Sequence, residues 1–188
     1  MNHYHLHSMI TIISGTNRRD SEALQFARHY AELLRAKTTK EVKLLNLEEI
    51  PHDWFHPDMY EEEGQSSSIA AIQDEYILPA ERFVFVVPEY NGSFPGVLKL
   101  FIDACSIRDY KGNFGRKKAA LVGIASGRAG NLRGLDHLTG ILIHQGCIIY
   151  PEKVHVASIP QLKDSQGNIA DAKTLQVIER QADGFLGF

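Results

Sequence analysis

Two short stretches of this chain hold residues suited to gripping a phosphate and a flat ring. The first, Ser14-Gly15-Thr16-Asn17-Arg18-Arg19-Asp20-Ser21, follows an apolar run and opens a helical pattern. Thr16 and Ser21 offer hydroxyls, Arg18 a charge-assisted donor, and a helix N-terminus adds backbone N–H groups and dipole. The second, Pro88-Glu89-Tyr90-Asn91-Gly92-Ser93-Phe94-Pro95-Gly96, lies between the buried-strand pattern Phe83–Val87 and a helical pattern from Val97 to Ser106. Gly92 and Gly96 allow close backbone approach, and Tyr90 and Phe94 offer ring surface for stacking. Ser93 and Pro95 also suit the cap and first position of the helix that follows. A third loop, Ser126-Gly127-Arg128-Ala129-Gly130-Asn131, follows another apolar run. Taken alone, the first and third loops are ordinary strand-to-helix turns, whereas a structural turn does not account for Glu89-Tyr90-Asn91 in the second. Together, at the ends of neighbouring strands, they form one crevice for a mononucleotide cofactor. A GxGxxG fingerprint and a Gly-Lys-Ser/Thr phosphate loop are both absent.

These loops must be positioned by an α/β sheet. Continuous apolar runs at Met9–Ser14, Phe83–Val87, Ala119–Ala125 and Cys147–Tyr150 have the pattern of strands buried on both faces, and the more mixed Val42–Leu47 suits an edge strand. Helical faces alternate with them: Ala23, Ala27, Tyr30 and Leu34; Leu132, Leu135, Leu138 and Leu142; Leu175, Ile178, Ala182 and Phe185. Ser66–Leu78 is a weaker helix, and Arg108–Lys118 has the polar, Gly-containing character of a loop. The alternation predicts a three-layer α/β/α sandwich on a five-stranded parallel sheet in the flavodoxin-like order 2-1-3-4-5.

Composition narrows the function. The 188 residues suit one domain, spanning 9–188. A net charge of −3 disfavours a nucleic-acid or acidic-membrane surface, and no apolar run approaches the ~20 residues of a membrane span. Residues 1–8, with alternating His3, His5 and His7, are expected to be a disordered leader or cloning remnant without the apolar core of a secretory signal, so a cytoplasmic location is expected. Cys105 and Cys147 have no disulfide or metal-knuckle spacing and are expected to be buried, inert thiols. His52–Ser68, carrying Trp54, Phe55, Tyr60 and the run Glu61-Glu62-Glu63, interrupts the α/β rhythm. Its His52, Asp53, His56 and Asp58 are expected to be a solvated loop rather than a metal set, so no metal site is assigned.

On these motifs the chain resembles the NAD(P)H-dependent FMN reductases of flavodoxin-like fold, which include quinone, azo-dye and chromate reductases. Gly15-Thr16-Asn17-Arg18-Arg19-Asp20-Ser21 matches Gly-Ser-x-Arg-x-x-Ser with Thr for Ser. Pro88 to Asp103 matches Pro-Glu-Tyr-Asn-x-Ser-x-Pro-Gly-x-Leu-Lys-Asn-x-Ile-Asp, with Leu100 in place of the Asn. The resemblance implies that Thr16, Arg18 and Ser21 hold the FMN phosphate, while Glu89, Tyr90, Asn91, Ser126 and Gly127 border the flavin. Ser14, Pro88 and Gly92 complete the candidate cofactor-binding set. It further implies NADPH or NADH as co-substrate, a small-molecule acceptor, ping-pong hydride transfer through the flavin, and a homodimer or homotetramer. No catalytic side chain is assigned, because the chemistry is the cofactor's. The alternatives are a non-enzymatic flavodoxin-like electron carrier and a flavin-based redox sensor. Ala23, Ala104 and Asn131 depart from the family's usual Asn, aromatic and Gly, which implies weaker FMN affinity and an altered dimer contact.

Overall fold

A computed structural model describes residues 9–61 and 65–188. The expectation for residues 1–8, and Glu62 and Glu63 of the acidic run, lie outside the described residues. β1 (Met9–Ser14) is buried along its whole length, which its uninterrupted apolar sequence demands. α1 (Glu22–Lys37) follows, then β2 (Glu41–Asn46), α2 (Ser67–Ile72), β3 (Ala80–Pro88), α3 (Gly96–Cys105), α4 (Tyr110–Phe114), β4 (Lys118–Ile124), α5 (Leu132–His144), β5 (Ile148–Ile149), β6 (Val154–Val156) and α6 (Ala172–Gly187). The strands pair in parallel in the order β2-β1-β3-β4-β5, as the alternating pattern predicts, with β6 also pairing with β4.

Two apolar cores lie on the two faces of the sheet. One gathers Ile69 of α2, Leu98, Phe101 and Ile102 of α3, Phe114 of α4 and Leu135, Leu138 and Leu142 of α5. The other gathers Phe26, Tyr30 and Leu34 of α1 with Ile178, Ala182 and Phe185 of α6. The helices therefore flank the sheet on both sides, which gives the three expected layers.

Several local expectations are corrected. The fifth strand is split: β5 covers only Ile148–Ile149, and the pairing with β4 resumes in β6 after Pro151. Tyr110–Phe114 forms a short helix where a loop is expected, because Asp109 caps it by accepting from the Gly112 N–H at 3.1 Å. The helix expected over Ser66–Leu78 is present but passes from α-helix to π-helix at Gln73–Ile77. There the side-chain amide of Gln73 donates to the Cys105 and Arg108 carbonyls, tying this helix to the end of α3. Leu132 does not share the buried face of α5; it is 49% exposed at the first position of the helix. Trp54 and Met59 anchor the 52–68 insertion in the first core, while Phe55 and Tyr60 face outward. Cys105 and Cys147 are free and buried, and burial raises both thiols, Cys147 to about 12.

Candidate functional site

The loops that end β1, β3 and β4 meet at one crevice of about 460 Å³. Its lining combines Arg18, Arg19, Asp20, Ser21 and Glu22 from the first loop and α1 with Pro88, Glu89 and Tyr90 after β3. Ile124, Ala125 and Ser126 close it at the end of β4, and Ile159 and Pro160 after β6. It sits where the sheet order reverses between β1 and β3, the position at which open α/β sheets bind ligands.

One end of the crevice is a donor site. Ser21 is the N-cap of the sixteen-residue α1, its Oγ accepting from the Leu24 N–H at 3.3 Å. That leaves the hydroxyl hydrogen of Ser21 free to donate, beside the N–H groups of the first turn, which have no partner within the helix. Arg18 and Arg19 are exposed, and among the described residues neither forms an ion pair. Glu22 is occupied by an ion pair with Lys163. A phosphate fits this set, which offers a guanidinium, a hydroxyl hydrogen and backbone donors together.

The rest of the lining is mainly apolar. Pro88, Ala125, Ile159 and Pro160, with Ile124 behind them, stand in the wall with Tyr90, Glu89 and Ser126. Backbone bonds fix these loops to one another: Gly15 N–H donates to Val86 O at 2.9 Å, Glu89 N–H to Ile124 O at 3.0 Å, and Ile159 N–H to Ala125 O at 3.3 Å. A flat ring system fits such walls.

The structure sorts the sequence candidates. Arg18, Ser21, Pro88, Glu89, Tyr90 and Ser126 line the crevice. Ser14 is fully buried at the end of β1, where its carbonyl accepts from Thr16 and Leu47. Thr16 is fully buried, 2.9 Å from the Tyr90 hydroxyl. Asn91 and Gly92, at φ 52° and 76°, form the turn of a tight hairpin in which Tyr90 and Ser93 exchange both backbone bonds. Positive φ at two successive residues is what Asn-Gly supplies most cheaply. Gly127 is exposed and does not line the crevice. Phe94 packs against the first core. Ser93 does not cap α3, whose N-cap is Pro95; its hydroxyl meets His137 Nδ1 at 2.8 Å. His52, Asp53, His56 and Asp58 do not assemble a metal set; among the described residues no three His, Cys, Asp or Glu side chains gather as one.

The sequence assigns no role to Ile159, Pro160 or the side chain of Asn131. Ile159 and Pro160 follow β6, a strand too short to show in the pattern. Asn131 looks like a departure from glycine, yet its backbone stands at φ 61°, a conformation Asn tolerates. Its side-chain amide donates to the Val87 and Pro88 carbonyls at 2.9 and 3.0 Å, which fixes the end of β3 beside the crevice. The positive φ required at the helix start was the available signal.

Residues 8–161 match the family described as NADPH-dependent FMN reductase. The chain belongs to that family. It is thereby an oxidoreductase with FMN as cofactor and NAD(P)H as co-substrate. An NAD(P)H-dependent FMN reductase of Pseudomonas aeruginosa is 36% identical over 110 residues, which cover 57% of this chain and 58% of that protein. The match thus spans a little over half the length of that relative. A 2-hydroxy-1,4-benzoquinone reductase of a Burkholderia species is 25% identical over 94% of this chain and 93% of its own. FerB, a flavoenzyme NAD(P)H:(acceptor) oxidoreductase from Paracoccus denitrificans, superposes with a TM-score of 0.76 at 25% identity, with 96% of each chain covered.

Proposed function

We propose that this protein passes reducing equivalents from NAD(P)H to a quinone-like, azo or free-flavin acceptor in a ping-pong sequence, using the crevice between β1, β3 and β4. One observation carries the proposal: a helix start rich in free donors and a mainly apolar wall beside Tyr90 share a single crevice. Arg18, Ser21 and the first turn of α1 would hold the FMN phosphate. Pro88–Tyr90, Ile124–Ser126 and Ile159–Pro160 would border the ring. When bound, FMN supplies the hydride chemistry, and the chain supplies position and dielectric. The apolar lining would border the face of the ring turned away from solvent, and loops pinned by backbone hydrogen bonds would offer donors that need no rearrangement. Donor and acceptor would use the same open face in turn. Support for the acceptor class comes from the Burkholderia relative, which by name reduces a benzoquinone.

The working unit in this reading is a homodimer or larger, and we assign it to the cytoplasm, where reduced nicotinamide is available. Steady-state NAD(P)H oxidation with added FMN and a quinone tests the mechanism. Double-reciprocal plots at several quinone concentrations are expected to be parallel. Intersecting lines would mean that both substrates bind together, and no turnover beyond one equivalent of reductant would favour a carrier.

A further inference from the structure

Thr16 occupies the position at which the resemblance puts a phosphate ligand, but its surroundings point elsewhere. Its side chain has no exposed surface, and its Oγ1 is engaged twice. It accepts from the Arg18 N–H at 3.2 Å and lies 2.9 Å from the Tyr90 hydroxyl. A threonine hydroxyl has one hydrogen and two acceptor positions. The Arg18 amide takes one of those positions, and Tyr90 takes either the hydrogen or the other. A crevice anion would need that hydrogen and a path to it; Thr16 offers no surface to reach.

Tyr90, in contrast, lines the crevice. It heads the 90–93 hairpin, whose flanks are anchored at Glu89, where the N–H donates to Ile124 O, and at Phe94, which packs on the first core, while its remaining side-chain contacts lie toward the surface. Ser93 meets His137, and Glu89 lies 3.8 Å from Arg133, whose side chain is 73% exposed. Exposed pairs of this kind contribute little. The bond to Thr16 joins the same hairpin to a buried side chain, where a hydrogen bond is electrostatically stronger than one in water. It links the loop after β1 to the loop after β3.

We infer that Thr16 is a positioning residue acting through Tyr90: it fixes the tyrosine as the edge of the ring slot, and phosphate recognition falls to Arg18, Ser21 and the start of α1. The inference rests on the crevice being the flavin site.

The test compares FMN with riboflavin, which carries the same ring without the phosphate. The full chain is titrated with each flavin while quenching of flavin fluorescence is followed. Wild type is compared with Thr16→Val, Thr16→Ser, Tyr90→Phe and the Thr16→Val/Tyr90→Phe double variant. Thr16→Val and Tyr90→Phe are each expected to weaken both flavins by the same factor, roughly three- to tenfold for one lost hydrogen bond. The FMN-to-riboflavin affinity ratio stays at the wild-type value, the double variant loses no more than either single one, and Thr16→Ser binds as wild type. Selective loss of FMN binding in Thr16→Val, or additive losses in the double variant, would overturn the inference. If Thr16→Val does not fold, Tyr90→Phe decides alone: an equal loss for both flavins supports the link, and no loss or an FMN-only loss refutes it. A wild-type chain that quenches neither flavin overturns the cofactor reading itself, an outcome distinct from every variant result.

Discussion

Arg18 and Arg19 are adjacent, both exposed, and both line the crevice, so only the motif's spacing separates their roles. Arg18→Ala is expected to weaken FMN binding by about 1.5–3 kcal/mol, the range for a hydrogen bond to a charged group, and Arg19→Ala by less. Equal losses in a fluorescence titration would show that the register of the phosphate loop is wrong. A second residue-scale effect lies outside the crevice, at Lys117. Its Nζ donates to the Ile77 and Leu78 carbonyls at 2.8 and 2.9 Å and sits 5.7 Å from the Phe83 ring. Burial lowers its amine to about 8, outweighing the opposing pull of Asp109. The neutral amine still has a hydrogen for each carbonyl. The unfolded lysine keeps its ordinary value of 10.5, so between about 8 and 10.5 the unfolded chain binds more protons than the folded one. Stability must then rise with pH across that window. Urea midpoints at its two ends are expected to rise more for wild type than for Lys117→Met. A flat or inverted difference would mean that the carbonyls and the ring hold the ammonium form.

At the scale of elements, the split fifth strand creates a problem that α6 solves. β4 pairs with β5 through Lys118 and Ala119 and with β6 from Val122 onward, so Leu121 faces the break. The fully buried Gln181 donates to the Leu121 carbonyl at 3.0 Å and to the Glu152 carbonyl at 2.6 Å. Gln181→Leu would leave both carbonyls without this donor and is expected to cost about 1–3 kcal/mol in urea unfolding. An unchanged midpoint would show that other donors replace it. Asn131 depends on a neighbour in the same way. A Cβ at Gly134 would overlap Asn131 Oδ1, so Gly134→Ala is expected to destabilise the fold despite the better helix propensity of Ala. Thermal unfolding checks this, and a gain in stability would show that Asn131 moves freely. β1, β3 and β4 were legible in the sequence because strands buried on both faces carry unbroken apolar runs. The loops after them were legible because each follows such a run. Val154-His155-Val156 is too short and too alternating to register, so β6 escaped notice, and with it Ile159 and Pro160. Gln181, Asn131 and Thr16 act across 60, 44 and 74 residues of chain, a reach that no local pattern encodes.

For the whole molecule, the surface of α3 bears on how many chains make one working unit. The sequence of α3 is apolar nearly all round, which calls for cover on its outer side as well as on the sheet. Part of that cover comes from its own chain: Leu98, Phe101, Ile102, Ala104 and Cys105 are buried, and Ile69 of α2 and Met59 of the insertion join the same core. Val97 and Leu100 remain half-buried against that core. Leu100 stands where the resembling family carries Asn, which puts an apolar side chain at a partly exposed position of α3. Closing a second chain over Val97 and Leu100 would remove this surface from water at about 25 cal/mol per Å². Light scattering on the purified protein is expected to give a mass of at least twice the 21.1 kDa of one chain. Leu100→Asp is expected to shift that mass toward a single chain while circular dichroism stays unchanged, because the residue is only half-buried in its own chain. If the pairing also walls the crevice, the same variant lowers FMN affinity. A wild-type mass of one chain, unchanged by FMN at micromolar protein, would show that α3 is covered well enough by its own fold.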